Sequence, residues 1–276
     1  MLRKLLKYDL KAVWKTWLWL AAAALLVAIP GGFCFRFLNS TMGESSAFFL
    51  LQLSAVLGVL ACMLVIVGFL VVTEILVFWR FYVNFFSDEG YLTFTLPVSR
   101  AQLLLSKTLN ACIWLLSGFA VITVSVLEIV LIVQPSAVGE LFKGLGTLIT
   151  LGGFWSVLWF LELILIALAG MWLSVSIIQL CITIGSIVAK KHKILASIGI
   201  YYLVNMVLGF ASQIFTVVGL FSAVGAIDTV LSHVSEAEAP FFATLILLAA
   251  AVIVATIAYF IHTITLGKLE RKLNLA

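Results

Sequence analysis

Apolar residues run through this chain in six long stretches, and polar residues gather in the short gaps between them. The stretches cover residues 17–38, 47–79, 103–133, 154–188, 194–222 and 241–264. Each meets or exceeds the roughly 20 apolar residues that carry a helix across a bilayer. None alternates apolar and polar side chains at period two, as a barrel strand would. In hydrocarbon the backbone must satisfy its own hydrogen bonds, so the pattern predicts an all-α membrane protein with six transmembrane helices in one domain, 1–276.

Ahead of the first stretch the pattern changes to a helical one. Arg3, Lys7, Lys11 and Lys15 fall four apart on one stripe, and Leu2, Leu6, Leu10, Val13 and Trp17 fall on another. Such a segment predicts an amphipathic interfacial helix over 1–16, lying flat at the headgroups. A secretory signal is excluded by the missing small-residue cleavage site and by the five spans that follow. Bulky Phe33 before Cys34 likewise argues against lipid attachment at that cysteine.

The basic residues orient the chain, because they favour the cytoplasmic side. Arg3, Lys4, Lys7, Lys11 and Lys15 precede the first span, and Arg80, Arg100 and Lys107 separate the second from the third. Lys190, Lys191 and Lys193 separate the fourth from the fifth, and Lys268, Arg271 and Lys272 follow the sixth. The opposite side carries Glu44, Glu140, Asp228, Glu236 and Glu238, with Arg36 and Lys143 as its cations. Both termini are therefore expected in the cytosol.

Composition sharpens the class. Of 276 residues 64% are hydrophobic and 10% charged, with a mean hydropathy of +1.26, against about 25% charge in a soluble domain. The net charge of +4 belongs to span ends and not to one basic face, which speaks against nucleic acid as a partner. Cys34, Cys62, Cys112 and Cys181 are scattered without CxxC spacing and read as small buried hydrophobes. His192, His233 and His262 form no ligand cluster, so no metal site is expected. Gly139 and Gly144 have the spacing of a phosphate-binding loop, but Leu145 stands where lysine is needed. No set of catalytic polar groups shares one depth, so the chain is not expected to be an enzyme.

The most informative gap is 80–107, RFYVNFFSDEGYLTFTLPVSRAQLLLSK. The apolar run before it reaches about 40 residues, or ~60 Å as one helix, so it must either project from a hydrocarbon core of ~30 Å or break near Trp79 and Arg80. Ser87 can cap a short helix whose first turn carries Asp88 and Glu89. Pro97 forces Leu96 out of helical geometry, and Ser99 with Gln102 forms a capping box at the start of the third span. Tyr91, Leu92, Phe94 and Leu96 then serve as apolar anchors for a groove on a soluble partner, with Asp88 and Glu89 as its charged rim. Two acids at its head disfavour an anionic lipid surface as the alternative.

The run SDEGYLTFTLPVSRAQLLLSK resembles the segment after the second membrane helix in permeases of the ABC transporter type-2 class (type V exporter fold), particularly those of Gram-positive bacteria. The resemblance is specific in sequence over 80–107 and matches in layout over the whole chain. It implies that residues 87–98 form a cytosolic coupling helix whose partner-binding surface is Asp88, Glu89, Gly90, Tyr91, Leu92, Thr93, Phe94, Leu96 and Pro97. It further implies a permease subunit of an ATP-driven exporter in the bacterial cytoplasmic membrane. That subunit would pair with an identical or related permease and with two copies of a cytosolic ATP-binding subunit. ATP and Mg would be bound there, with no cofactor in this chain. A peptide, drug or lipid-like substrate fits the class. The alternatives are an ATP-independent transporter or channel, which would more naturally show broken helices or charged pairs at mid-membrane, and, ranked below it, a multi-pass membrane enzyme, which would need polar catalytic groups at one depth.

Three acids, Glu74, Glu128 and Glu162, fall inside the apolar stretches, where a charge needs a partner or a purpose. They are candidate substrate-path residues. Residues 222–240 are expected to form an extracytoplasmic segment, with Pro240 opening the sixth helix. Gly58, Gly68, Gly118, Gly170, Gly185, Gly199 and Gly209 are candidates for close helix packing. Trp14, Trp17, Trp19, Trp79, Trp155 and Trp159 are candidate interface anchors.

Overall fold

A computed structural model describes the backbone of residues 2–41, 49–87, 89–189, 191–231 and 238–272. Glu44, Asp88, Lys190 and Glu236 lie outside the described residues, as do positions 232–237 of the expected extracytoplasmic segment. The described residues form helices α1 (Leu2–Thr41), α2 (Phe49–Phe86), α3 (Glu89–Phe94), α4 (Arg100–Val133), α5 (Pro135–Val188), α6 (Lys193–Leu231) and α7 (Ala239–Lys272). No strand occurs among them, and six of these helices are long and apolar enough to cross a membrane. The protein is thus an all-helical, multi-pass membrane protein.

The helices outrun the apolar stretches. Between Lys15 and Leu38 the chain offers helix-favouring Leu, Ala and Trp, and α1 passes through Pro30 without interruption. Residues 2–16 are therefore not a separate interfacial helix but the first turns of α1. The break considered near Arg80 is likewise absent, because nothing between Trp79 and Phe86 disfavours helix, and α2 continues for 38 residues, about 57 Å. α6 extends to Leu231, so the first part of 222–240 is helical, and Pro240 falls in the first turn of α7. Residues 135–152, which fall between the third and fourth apolar stretches, are also helical. A single interruption at Gly153 separates them from the rest of α5, with φ 54° and ψ −132°. That left-handed φ is open to glycine and strained for other residues.

The chain forms two compact units. The first comprises Met1–Val83 with Gln102–Leu151. Within it α1 and α4 run parallel along their whole lengths. Asp9 meets Lys107, Trp17 meets Trp114 at 5.0 Å between ring centroids, and Arg36 meets the carbonyl of Ile132. α2 runs antiparallel to both, placing Phe69 against Trp17, Ala21 and Ala24. Reciprocal glycine–cysteine contacts bring α1 and α2 close: a Cβ on Gly31 would fall on Cys62 Sγ, and one on Gly58 would lie 2.7 Å from Cys34 Sγ. The amphipathic stripes of residues 2–16 are preserved: Arg3, Lys7, Lys11 and Lys15 are exposed, and Val13 is buried. The rest of the apolar stripe, Leu2, Leu6, Leu10 and Trp17, is half-buried.

The second unit comprises Asn84–Ala101 with Gly152–Ala276. α5 and α6 form an antiparallel hairpin in which Ser197 donates to the carbonyl of Ile182 at 3.4 Å. A Cβ on Gly185 would lie 2.6 Å from the Ser197 nitrogen, so only glycine allows this approach. α7 runs parallel to α5: Trp159 Nε1 donates to Thr244 Oγ1 at 3.1 Å, and farther along Trp172 meets His262 edge-on at 6.3 Å. Of the glycines expected at contacts, Gly58 and Gly185 occupy them and Gly118 faces Thr73 at an ordinary distance. Gly68, Gly170, Gly199 and Gly209 face open space.

Candidate functional site

The segment joining α2 to α4 belongs to the second unit. After α2 ends at Phe86, the Gly90 amide donates to the Ser87 carbonyl at 2.8 Å, which turns the chain into α3. Gly90 is buried in this elbow, where a Cβ would come within 2.8 Å of the Phe85 carbonyl oxygen. Glu89, first residue of α3, is exposed, and its carbonyl accepts the Thr93 hydroxyl at 3.1 Å. α3 ends at Phe94 because the next turn is pulled out of helical geometry ahead of Pro97, with Val98 N donating to Leu96 O at 2.8 Å. Ser99 then stands at the N-cap position of α4.

The four expected anchors divide into two groups. Tyr91 and Leu92 are 64% and 67% exposed, and Leu96 is 43% exposed. Phe94 turns inward: its ring meets the buried Phe85 edge-on at 5.5 Å, and the Arg100 guanidinium lies over it at 5.7 Å. Phe94 therefore holds α3 in place rather than presenting a contact surface. Arg100 extends the fastening, donating from Nη1 to the carbonyls of Leu269 at 3.0 Å and Glu270 at 2.9 Å, in the last turns of α7. A cation suits that negative end of the helix dipole and the carbonyls left without partners there. In the sequence Arg100 stands out only as a topology charge, because its partner carbonyls lie 169 and 170 positions away.

Of the three acids in the apolar stretches, Glu74 and Glu128 belong to the first unit and do not converge there. Glu74 is exposed on α2 and Glu128 is half-buried on α4. Thr73 sits opposite Gly118, which leaves about 15 Å of helix between that level and Glu128. Glu162, in the second unit, is 2% exposed, and neither of its carboxylate oxygens has a hydrogen-bond partner among the described residues. Polar contacts between helices of the first unit include Asp9 with Lys107, Arg36 with the Ile132 carbonyl, and Gln52 with the Thr41 carbonyl. The Asp9–Lys107 ion pair is nearly buried, at 13% and 9% exposure. The clue to it in the sequence is a lone acid inside the basic N-terminal stripe.

Among the described residues no three His, Cys, Asp or Glu side chains are placed to hold a metal ion. Of the expected interface tryptophans, Trp19 and Trp79 are exposed, while Trp17 is enclosed by Phe69 and Trp114 and Trp159 is hydrogen-bonded inside its unit. No protein-family profile matches this chain, and neither a curated protein nor a solved structure gives a significant match to it.

Proposed function

We propose that this chain is the transmembrane permease subunit of an ATP-driven exporter, of the ABC transporter type-2 kind, in which α3 is the coupling helix. The observation that carries the reading is the pairing of fixation with exposure. α3 is fastened from below by Gly90, Phe94 and Arg100, yet Tyr91 and Leu92 stay open to solvent beyond the ends of two long apolar helices. A rigid helix with an uncovered aromatic and aliphatic pair suits a groove on another protein.

In this reading a cytosolic ATP-binding subunit receives Tyr91, Leu92 and Leu96, with Asp88 and Glu89 meeting basic residues at the groove's edge. Two such subunits act on two permease chains in the bacterial cytoplasmic membrane, and both termini face the cytosol. Closure of the ATPase pair displaces α3. Because Arg100 ties this segment to the end of α7, the displacement acts on α7 as well as on α2 and α4. ATP and Mg are handled by the partner, and the transported substrate is peptide, drug or lipid-like.

The test is co-purification from the native host. Charge reversal at Asp88 and Glu89, and separately serine at Tyr91 and Leu92, should abolish recovery of a cytosolic ATPase with the tagged chain. Unchanged recovery in both variants overturns the assignment, as does reaction of a cysteine placed at Leu92 with an impermeant thiol reagent from outside intact cells.

A further inference from the structure

We infer that the first unit binds one phospholipid, with an acyl chain in a pocket between α1, α2 and α4 and an anionic headgroup at Arg36. The pocket has a volume of about 490 Å³ and is walled by Phe35, Met63, Ile129, Val130 and Val133, with Gln134 at the junction of α4 and α5. That volume falls within the roughly 300–1,000 Å³ of small-ligand sites.

Its surroundings select the occupant. The helices that form the walls, including the start of α5 at Ala137, are each long and apolar enough to span a membrane, so lipid chains are the apolar molecules at hand. Water has no partners along such a wall, whereas a lipid chain matches it throughout.

The polar end is placed by Arg36. It follows the wall residue Phe35, and its Nη1 donates at 3.1 Å to the carbonyl of Ile132, between the wall residues Val130 and Val133. The hydrogen bond fixes the guanidinium beside the pocket, and the side chain is exposed, leaving further donors for a phosphate. Arg36 and Gln134 both lie where spans end: Arg36 is near the last turn of α1, and Gln134 is in the break between α4 and α5. A slot in the apolar layer and a cation at its polar boundary together match the two parts of a phospholipid. Under the charge-based orientation the lipid comes from the outer leaflet. Nothing in this site depends on what docks at α3.

The full-length chain, reconstituted with equal amounts of phosphatidylglycerol and phosphatidylcholine and then released into detergent, is to be followed by native mass spectrometry. One retained lipid is expected, with phosphatidylglycerol favoured about fivefold, the effect of one cation on one anionic headgroup. Val130→Phe should remove the retained lipid. Arg36→Gln should keep a lipid but lose the preference. Phosphatidylglycerol carrying a photoreactive group near its chain end should label the 126–137 peptide of the unaltered protein, a readout that does not depend on folding of the variants. Equal retention of both lipids, retention unchanged by Val130→Phe, or labelling confined to other helices overturns the inference. Displacement of label only by a second copy of the chain does so as well.

Discussion

Two basic residues stand two helical turns apart at the start of α4 and serve opposite ends. Lys107 is nearly buried and pairs with the Asp9 carboxylate of α1. Arg100 is half-buried, lies over Phe94 and donates to two main-chain carbonyls at the end of α7. The first contact joins formal charges in a nearly buried setting, so losing either one removes the other's counter-charge. The second shares one charge between two neutral acceptors, one on buried Leu269 and one on exposed Glu270. From sequence the two are equivalent cations flanking a span. The difference comes from the partner's chemistry and its access to water.

The contrast can be broken most severely at Asp9. Asp9→Leu should lower unfolding stability in detergent by ~3–5 kcal/mol, because the nearly buried Lys107 loses its carboxylate counter-charge. The double change Asp9→Leu with Lys107→Met should recover most of that loss, which separates the cost of stranding a charge from the worth of the pair. Arg100→Ala should cost less, ~1–3 kcal/mol, since the α7 carbonyls lose a charged donor but the one on exposed Glu270 can take water instead. It should also increase protease sensitivity within residues 84–101. Gly153→Ala should cost ~1–2 kcal/mol in the same assay, from the left-handed φ alone. Serine at Tyr91 and Leu92 should move stability by no more than ~0.5 kcal/mol, since both side chains are exposed. If these serines destabilise as much as Arg100→Ala, the exposed pair serves the fold and not a partner.

The six apolar helices are legible in the sequence because a bilayer demands long apolar runs, and those runs can be read without knowing any contact. Helix ends are less so. Nothing in the sequence forbids α2 from continuing past Arg80 or α1 from beginning at Leu2, and a hydropathy boundary is not a helix boundary. Residues 135–152 lie between two apolar stretches, and their several glycines each disfavour helix by about 1 kcal/mol relative to alanine; the helix forms nonetheless, and Gly153 interrupts it. At the candidate site the turn chemistry of Gly90, Pro97 and Ser99 can be read locally. The inward role of Phe94 and the α7 contact of Arg100 cannot, because both depend on elements outside the short helix itself. Asp9 escapes notice for the same reason: its partner is on another helix.

The interlocked Gly31–Cys62 and Cys34–Gly58 contacts set how closely α1 and α2 can lie. A methyl group at either glycine would run into the facing cysteine, so the two helices hold this spacing only while both positions stay glycine.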